Sequence, residues 1–322
     1  MFSCEDASEA VLVEHSGVAQ GSTYQIKYLT LDDQIFEDEF KSIFEQIDQS
    51  MSTYVPTSLI SQVNRGDTLV QVDSLFMTVL QRAMEIAEET SGNFDPTIGP
   101  LVNLWGFGSD NSPRVVEPDA VQRVKARTGY TAISLDGQRV SIPKGYSIDF
   151  NAIAQGFTVD VIAGHLEQKG VVNYMVEVGG EVRARGTNDR GKAWRIGVDK
   201  PLDQIDPSDR FQFVLELNDA GLATSGNYRN FWVDEETGIR YAHTIDPQTG
   251  YPANNRLLSA TILAPFAMDA DAYATTCMVE GLDDCKNMLR SAAELEGYLV
   301  FSTDEGEWST FTTEGFASHI AE

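Results

Sequence analysis

The chain has 322 residues, of which 42% are hydrophobic, 10% aromatic and 22% charged, so its composition is that of a globular protein and excludes a disordered one. Its 49 Asp and Glu residues against 23 Lys and Arg give a net charge of −26, which would repel a nucleic-acid backbone over most of the surface. An anionic ligand would therefore need a local device to hold it, such as a metal ion or a helix N-terminus.

The first residues contain Cys4 and a short acidic stretch rich in Ser and Ala, but no hydrophobic segment of a signal peptide. Two interpretations stay open for Cys4. It suits the lipidated first residue of a bacterial lipoprotein whose leader is absent from this chain, or it is an incidental cysteine near a frayed terminus. We expect residues 1–17 to be a tether or remnant and residues 18–322 to form one compact domain, because no low-complexity linker interrupts them.

The first third of the chain contains a predicted strand followed by two amphipathic helices. Polar and apolar residues alternate over 22–29 and predict a strand, whereas apolar residues at helical spacing predict helices over 36–54 and 73–92. The next stretch, "NFDPTIGPLVNLWGFG" at 93–108, is too rich in Gly and Pro for a regular helix or strand and too apolar for a solvated linker. We predict a rigid loop that shapes a surface.

The rest of the chain mixes short helices with hairpins. A helix is predicted over 119–128, a hairpin around Asp136-Gly137, a helix over 148–170 and another from about Asp269. Strands are predicted over 172–186, 194–201, 210–219, 257–265 and 297–303. Because helices and hairpins are interspersed and do not strictly alternate, the pattern favours an α+β fold over a doubly wound parallel sheet.

Two of these segments could bind a charged ligand. "MDADAYATT" places Asp271 and Thr275 four residues apart on one helix face, where they offer hard oxygen ligands suited to Mg²⁺ or Ca²⁺; the alternative is a solvated face or a cap. "DFNAIAQG" at 149–156 leads into a helix whose first N–H groups could receive a phosphate, although a helix capped by Asn151 is the simpler interpretation.

His243 and the remaining cysteines each admit two interpretations. The imidazole of His243, in "HTIDPQTGYP", could take a proton from a hydroxyl group near neutral pH, or the residue could be structural. Cys277 and Cys285 could pair, but we expect two buried thiols, the commoner state of such residues.

The order of the segments along the chain is more specific than any one of them. "STYVP", "FDPTIGPLVNLWGFG", "DFNAIAQG", "VEVGGEVRARG", "ATSGNYRNFW", "HTIDPQTGYP" and "DADAYATT" together resemble the ApbE family of FAD:protein FMN transferases, from about residue 18 to residue 316. The resemblance implies one compact T-fold-like α+β unit with mixed or antiparallel sheets and packed helices.

The resemblance also implies a flavin site and a metal site. The loop 93–108 would help to form the flavin pocket, with Trp105 and Phe107 in its wall. The alternative, a loop that packs in the core, applies to Leu101, Leu104 and Phe107. The expected FAD contacts are Gln20, Tyr54, Asn93, Phe94, Asp95, Asp149, Gln155 and Ile245. The metal ligands would be Asp271, Thr275 and the main-chain carbonyl of Ala152, where Mg²⁺ would bridge the FAD pyrophosphate.

The chain departs from the family pattern at two places. The family commonly has Met-Gly-Thr where this chain has Gln20-Gly21-Ser22, and it often has Gly-Gly-Ile-Ala-Lys-Gly where this chain has residues 151–156, "NAIAQG". Gln155 therefore replaces a lysine, which removes a cation near the pyrophosphate. The metal would carry more of that charge.

The resemblance implies transfer of FMN from FAD to a Ser or Thr hydroxyl of an acceptor protein with release of AMP, in which His243 and Asp271 would be the catalytic residues. The alternatives are a Mg²⁺-dependent FAD pyrophosphatase that gives FMN and AMP, and a non-catalytic FAD-binding lipoprotein. The expected acceptors are subunits of Na⁺-translocating NADH:quinone oxidoreductase or Rnf-type complexes. The expected location is the periplasmic face of the bacterial inner membrane, with membrane contact only through lipid on Cys4.

Overall fold

The computed structural model describes residues 10–31, 34–67, 70–108, 116–201, 210–227, 231–233 and 240–321. Its strands are β1 (Val11–Ala19), β2 (Ser22–Thr30), β3 (Ser134–Asp136), β4 (Arg139–Ser141), β5 (Tyr174–Val178), β6 (Glu181–Arg185), β7 (Trp194–Asp199), β8 (Phe211–Leu217), β9 (Ala220–Gly226), β10 (Phe231–Val233), β11 (Arg240–Ala242), β12 (Leu257–Ala264), β13 (Glu296–Ser302) and β14 (Trp308–Thr312). Eight of them form one sheet in the order β1-β2-β5-β6-β9-β12-β13-β14, and the other six pair as the ribbons β3-β4, β7-β8 and β10-β11. Neighbours in the large sheet are antiparallel throughout.

The helices are α1 (Glu37–Met51), α2 (Leu59–Asn64), α3 (Ser74–Glu89), α4 (Gly99–Leu104), α5 (Pro118–Lys125), α6 (Ala154–Gln168), α7 (Ala267–Glu280), α8 (Leu282–Ser291) and α9 (Glu314–Ala317). Helix α1 buries Phe40, Phe44 and Ile47 at the three- and four-residue spacing of one face. Helix α3 begins at a cap, since the Asp73 side chain accepts the Phe76 N–H. Within the described part of the chain, no helix combines the length and the hydropathy of a membrane span.

Helices α6 and α7 form a buried layer on one face of the sheet. Helix α7 is buried on most of its circumference, with Ala267, Ala270 and Ala274 fully enclosed. A helix that is apolar nearly all round lies inside a protein and does not face solvent. Buried residues of α1, α3, α6, α7 and β12 join in two hydrophobic clusters on this side of the sheet.

The opposite face of the sheet is covered by the β7-β8 ribbon and α9. On β5, Val176 and Val178 belong to the cluster with α1 and α6, whereas Met175 packs with Leu215, Leu217 and other residues on the opposite side. Successive side chains of a strand point to opposite faces, so a strand covered on both sides is apolar at almost every position. The α+β fold with antiparallel sheets and packed helices, predicted above, is confirmed.

Three local features differ from what the sequence led us to expect. The edge strand β1 starts at Val11, ahead of the domain boundary expected at residue 18, and it pairs along its whole length with β2. The stretch 93–108 is not helix-free, because Pro100 stands in the first turn of the short helix α4, where it costs no hydrogen bond. Cys277 and Cys285 are joined in a disulfide and are not thiols, because the turn at Gly281, with φ of 81°, folds α8 back on α7 and brings their Cα atoms to 4.8 Å.

Candidate active site

Asp271 lies at the junction of α6 and α7 and is 5% exposed. Its Oδ2 accepts a hydrogen bond from the Gly156 N–H at 3.1 Å, and no other hydrogen bond to this carboxylate comes from the described residues. Burial raises the pKa of Asp271 to about 7, and the Gly156 N–H acts in the opposite direction. A carboxylate with a single donor in a dry position is stabilised by a cation beside it.

The other two predicted metal ligands belong to the same two helices. In a continuing helix the Gly156 N–H would bond to the Ala152 carbonyl, but it bonds to Asp271, and the Ala152 carbonyl accepts no hydrogen bond within the described part of the chain. The Thr275 hydroxyl lies one turn after Asp271 on α7, 3.2 Å from the Ser225 hydroxyl of β9. Among the described residues no group of three or more His, Cys, Asp or Glu side chains could hold a metal ion. The oxygen set is therefore one carboxylate, one hydroxyl and one carbonyl, which are hard ligands of the kind Mg²⁺ accepts.

The start of α6 offers a free backbone donor beside this oxygen set. The Gln155 N–H makes no hydrogen bond to the described residues, whereas the Ala154 N–H bonds to Phe150 and the Phe157 N–H to Ile153. The Gln155 side chain turns toward the Gly179-Gly180 turn, where a methyl group on Gly179 would lie 2.3 Å from its Nε2. A free N–H in the first turn of a helix is suited to a phosphate oxygen.

Asn151 does not cap α6, contrary to the interpretation from sequence. The N-cap position is Ile153, which makes no side-chain cap. The Asn151 N–H and side-chain amide instead bond to the Asp149 carboxylate, at 2.8 and 3.3 Å. Asp149 precedes Asn151 by two residues, and these bonds close a tight turn. The Asp149 N–H bonds to the Pro96 carbonyl at 2.8 Å, which joins this turn to the loop 93–108.

The first residues of that loop are held by their own hydrogen bonds. Asn93 donates from Nδ2 to Glu280 at the end of α7, at 3.0 Å. Phe94 is buried in the core with α3 and α7. The buried carboxylate of Asp95 accepts both the N–H and the hydroxyl of Thr97 at 2.7 Å, and burial raises its pKa. The structure thus brings Asn93 to the end of α7, buries Phe94 in the core and ties Asp95 to Thr97 within the loop.

The second half of the loop forms an aromatic wall with the segment 241–252. Trp105 donates from Nε1 to the Gly250 carbonyl at 2.8 Å and stacks on Tyr241, with ring centroids 5.3 Å apart. Tyr241 stacks in turn on Trp232 at 4.5 Å. Ile245 and Leu101 are buried in this cluster, and Leu104 and Phe107 pack against it. Trp105 and Phe107 are therefore both part of one packed apolar cluster, and their contact with a flavin stays a prediction.

His243 lies at the edge of the wall, on the side of β9. Its ring contacts Phe107 edge-on, with centroids 6.4 Å apart. Thr244, the next residue, donates its hydroxyl to Asn227 at 3.0 Å, and Asn227 follows two residues after Ser225, the neighbour of Thr275. The fold therefore connects His243 to α7 through the end of β9.

Gln20 and Tyr54 lie near α1, at a different part of the site. Gln20 stands at φ of 52° in the β1-β2 turn, its side chain bonds to Asp48 of α1, and its Oε1 is buried without a partner among the described residues. The Gly179 N–H bonds to the Thr23 carbonyl, so this turn lies beside the Gly179-Gly180 turn that Gln155 contacts. Tyr54 is 63% exposed just after α1. Cys4 lies outside the described residues.

Sequence reasoning missed Ser225, Glu280 and Asp160, all of which touch the site or its helices. The Ser225 and Glu280 side chains contact Thr275 and Asn93, and Asp160 bonds to the backbone of α7. Each partner is distant along the chain, so no local spacing indicates the contact. The only signal was that Asp160 lies four residues after Gly156, on the same side of a predicted helix.

The sequence matches the ApbE family over residues 20–299. The FAD:protein FMN transferase of Vibrio cholerae is 38% identical over 327 residues, covering 98% of this chain and 95% of that protein. Among solved structures, the flavin transferase ApbE of V. cholerae superposes with a TM-score of 0.85 at 35% identity, covering 96% of this chain and 99% of that one. The apo flavinyl transferase ApbE of Pseudomonas stutzeri also has a TM-score of 0.85, at 30% identity and 98% coverage of both chains. The chain therefore belongs to the ApbE family.

Proposed function

We propose that this chain is a Mg²⁺-dependent FAD:protein FMN transferase that moves FMN from FAD to a Ser or Thr hydroxyl of an acceptor protein and releases AMP. The observation that carries the proposal is the α6-α7 junction, where the buried Asp271 carboxylate and the free Gln155 N–H lie one residue apart through Gly156. A buried anion that needs a cation and a donor that needs an anion together fit a metal-bound pyrophosphate. The names of the relatives support the transfer of FMN from FAD to a protein.

The metal would be held by Asp271, Thr275 and the Ala152 carbonyl. The fit is supported by the lone hydrogen bond to Asp271 and by the unused Ala152 carbonyl. When bound, Mg²⁺ would neutralise charge on the pyrophosphate and on the phosphoryl group being transferred. Residue 155 at the start of α6 is an uncharged glutamine, so the protein supplies no lysine charge at this position.

In the reaction, the acceptor hydroxyl oxygen attacks the phosphorus atom of the FMN half. The new bond is the phosphoester, and the bond that breaks joins this phosphorus to the bridging oxygen, which leaves with AMP. His243 takes the hydroxyl proton as general base. The packing of its ring against Phe107 supports this role, because it limits the directions in which the imidazole can point.

The flavin would be bound by residues that line the wall and the turns around it. These are Gln20, Tyr54, Asn93, Phe94, Asp95, Asp149, Gln155 and Ile245. The best support is at Gln20, whose buried Oε1 lacks a partner among the described residues and could accept a donor of the ring. Tyr54 supports a ring contact in a different way, since its exposed aromatic face is open to stacking.

We also propose that the protein works on the periplasmic face of the inner membrane, anchored through lipid on Cys4. The Cys277–Cys285 disulfide supports an oxidising compartment, since disulfides are rare in the bacterial cytosol. The acceptors would be subunits of Na⁺-translocating NADH:quinone oxidoreductase or Rnf-type complexes. Mass spectrometry of the protein from its native host should find acyl chains on Cys4, and an unmodified Cys4 contradicts the anchor.

One assay separates the proposed reaction from its alternatives. The protein is incubated with FAD, Mg²⁺ and an acceptor domain that carries a candidate Ser or Thr, and the products are analysed by mass spectrometry and chromatography. A covalent flavin adduct on the acceptor with equimolar AMP is the expected result. Free FMN and AMP without an adduct would indicate a pyrophosphatase, and unchanged FAD would indicate a binding protein.

A further inference from the structure

Helix α7, which carries Asp271 and Thr275, begins without a cap of its own. Its N-cap residue, Phe266, offers no side-chain hydrogen bond. The first two N–H groups, of Ala267 and Met268, donate instead to Oδ1 and Oδ2 of Asp160, at 3.1 and 2.8 Å. Asp160 belongs to α6, so a neighbouring helix supplies both the hydrogen-bond acceptors and the negative charge that the start of α7 favours.

Asp160 is fixed from a second side. Its side chain is 10% exposed, and Nη1 of Arg183 on β6 lies 3.1 Å from Oδ1. The same guanidinium lies over the Phe266 ring, 4.8 Å from the ring centroid. Arg183 therefore holds both the carboxylate and the residue that precedes α7, and it offsets the charge of a carboxylate that burial would otherwise disfavour.

The two helices exchange hydrogen bonds in both directions. Asp160 of α6 accepts the first N–H groups of α7, and Asp271 of α7 accepts the Gly156 N–H in the first turn of α6. Gly156 precedes Asp160 by four residues, and Ala267 precedes Asp271 by four, so each pair lies on one face of its helix. The two contacts are thus one turn apart on both helices.

The contact between the helices leaves no free space at the start of α7. A methyl group on Gly156 would lie 2.3 Å from the Ala267 carbonyl oxygen, and one on Gly221 of β9 would lie 2.4 Å from the Ala267 nitrogen. Backbone is therefore packed directly on backbone from both sides. A displacement at Ala267 cannot be absorbed locally and moves Asp271 with the helix.

We propose that Asp160 is a positioning residue for the metal site: by holding the first N–H groups of α7, it sets where Asp271 stands relative to the start of α6. The inference rests on the proposed function for the identity of the site. Asp160 does not ligate the metal in this scheme, because both of its oxygens already accept hydrogen bonds. Oδ1 accepts from Ala267 and Arg183, and Oδ2 accepts from Met268.

The test compares Asp160→Ala with Glu167→Ala. Glu167 is a matched control because it lies on the same helix and also contacts Arg183, at 3.5 Å, but it bonds to Tyr174 and Arg185 and not to α7. Amide hydrogen exchange measured by NMR reports the Gly156 N–H directly, and electron paramagnetic resonance of added Mn²⁺ reports metal affinity without any turnover.

In Asp160→Ala we expect exchange at Gly156, Ala267 and Met268 to become at least about tenfold faster, and the Kd for Mn²⁺ to rise by about 10–100-fold, the usual cost of removing a group that orients a metal ligand. Asp160→Asn keeps one acceptor oxygen and should fall between the parent and the alanine variant. It also serves as the test protein if Asp160→Ala does not fold. Glu167→Ala should leave both readouts at parental values even where its Tm is lower.

Unchanged Gly156 exchange and Mn²⁺ affinity in a folded Asp160 variant would overturn the positioning role. The same changes in Glu167→Ala would also overturn it, because they would reflect general loss of stability. Asp271→Ala is measured in parallel: if it keeps parental Mn²⁺ affinity, the proposed metal site is wrong, whereas the Gly156 exchange in the Asp160 variants still reports the coupling of the helices. The two failures are therefore distinguishable.

Discussion

At the scale of single residues, the proposed reaction depends on one buried carboxylate and one histidine. Asp271 stands in a dry position with one backbone donor, and its pKa is raised by that burial. His243 stands at the end of a different segment, packed on Phe107. In the proposed reaction Asp271 would supply negative charge for a cation and His243 would accept a proton, so substitutions at the two residues should have different effects.

Replacing Asp271 by Ala should abolish Mg²⁺-dependent transfer while the protein stays folded, because Asp271 is the only charged group among the proposed ligands. Mn²⁺ should support activity in the parent, since the ligands are oxygen atoms. The rate of acceptor labelling against metal concentration measures both. Asp283→Asn is the matched control: Asp283 is an exposed carboxylate at the start of α8, and its loss should leave the rate unchanged. Full activity in Asp271→Ala would remove the metal assignment.

Replacing His243 by Ala should lower transfer by about 10²–10⁴-fold, the usual contribution of one general base, while FAD affinity stays close to that of the parent. The rate of the parent should rise with pH as the imidazole loses its proton, and the variant should lack that rise. His319→Ala is the control, since its ring lies at the far end of the chain beside the Glu216 carbonyl. Parallel pH profiles for parent and variant would exclude His243 as the base.

At the scale of elements, the site depends on the backbone-to-backbone contact of α6 with α7. Gly156 is the residue that permits it, because any side chain there would meet the Ala267 carbonyl and the Met268 Cα. The same residue donates the N–H that Asp271 accepts. Gly156 therefore determines both how closely the two helices pack and where Asp271 stands.

Gly156→Ala should lower the free energy of unfolding by about 1–3 kcal/mol, the usual cost of overpacking a close contact, and should weaken transfer by moving Asp271 away from the start of α6. Chemical denaturation and the labelling rate measure the two effects. Gly164→Ala lies on the same helix, where a methyl group would meet no atom within 4 Å. It should stabilise the protein by about 0.5–1 kcal/mol, because alanine is the better helix former. Equal effects of the two substitutions would contradict the contact.

At the scale of the whole molecule, charge opposes the folded state. With a net charge of −26, the acidic side chains repel one another in the folded state. Several carboxylates are also buried, which disfavours their ionised form. Burial raises the pKa of Asp160 to about 6, and it raises the pKa values of Asp95 and Glu177 above their ordinary range. Between the unfolded and folded pKa values of such a group, the folded state binds more protons than the unfolded state.

The metal-free protein should therefore be more stable at pH 5 than at pH 8. The sign follows because the slope of unfolding free energy with pH is negative wherever the folded state binds more protons, so stability is regained as pH falls through about 6. We expect a gain on the order of 1–3 kcal/mol, seen as a Tm higher by several degrees. Asp160→Asn should flatten the profile over this range. A Tm that falls steadily from pH 8 to pH 5 would contradict the prediction.

Much of the fold could be predicted from the sequence, because it follows from local periodicity. Apolar residues of α1 and α3 recur at helical spacing, and the Asp136-Gly137 hairpin and the antiparallel α+β class follow from turn chemistry and from the mixture of elements. Strand β1 was not predicted, because edge strands are only partly buried and lack a strong apolar alternation. The sequence also placed Asp271 and Thr275 on one helix face, and the order of its motifs indicated the ApbE family.

Only the tertiary structure decided what surrounds those residues. That Asp271 faces the Gly156 N–H, that Asp160 caps α7 and that Ser225 meets Thr275 are contacts between segments 50 to 115 residues apart, and no spacing rule reaches that far. The disulfide is of the same kind: two cysteines eight residues apart could have stayed apart on one helix, and the turn at Gly281 joined them. Local periodicity is fixed by the chain's own geometry, whereas burial and charge at a site depend on which backbone packs against it.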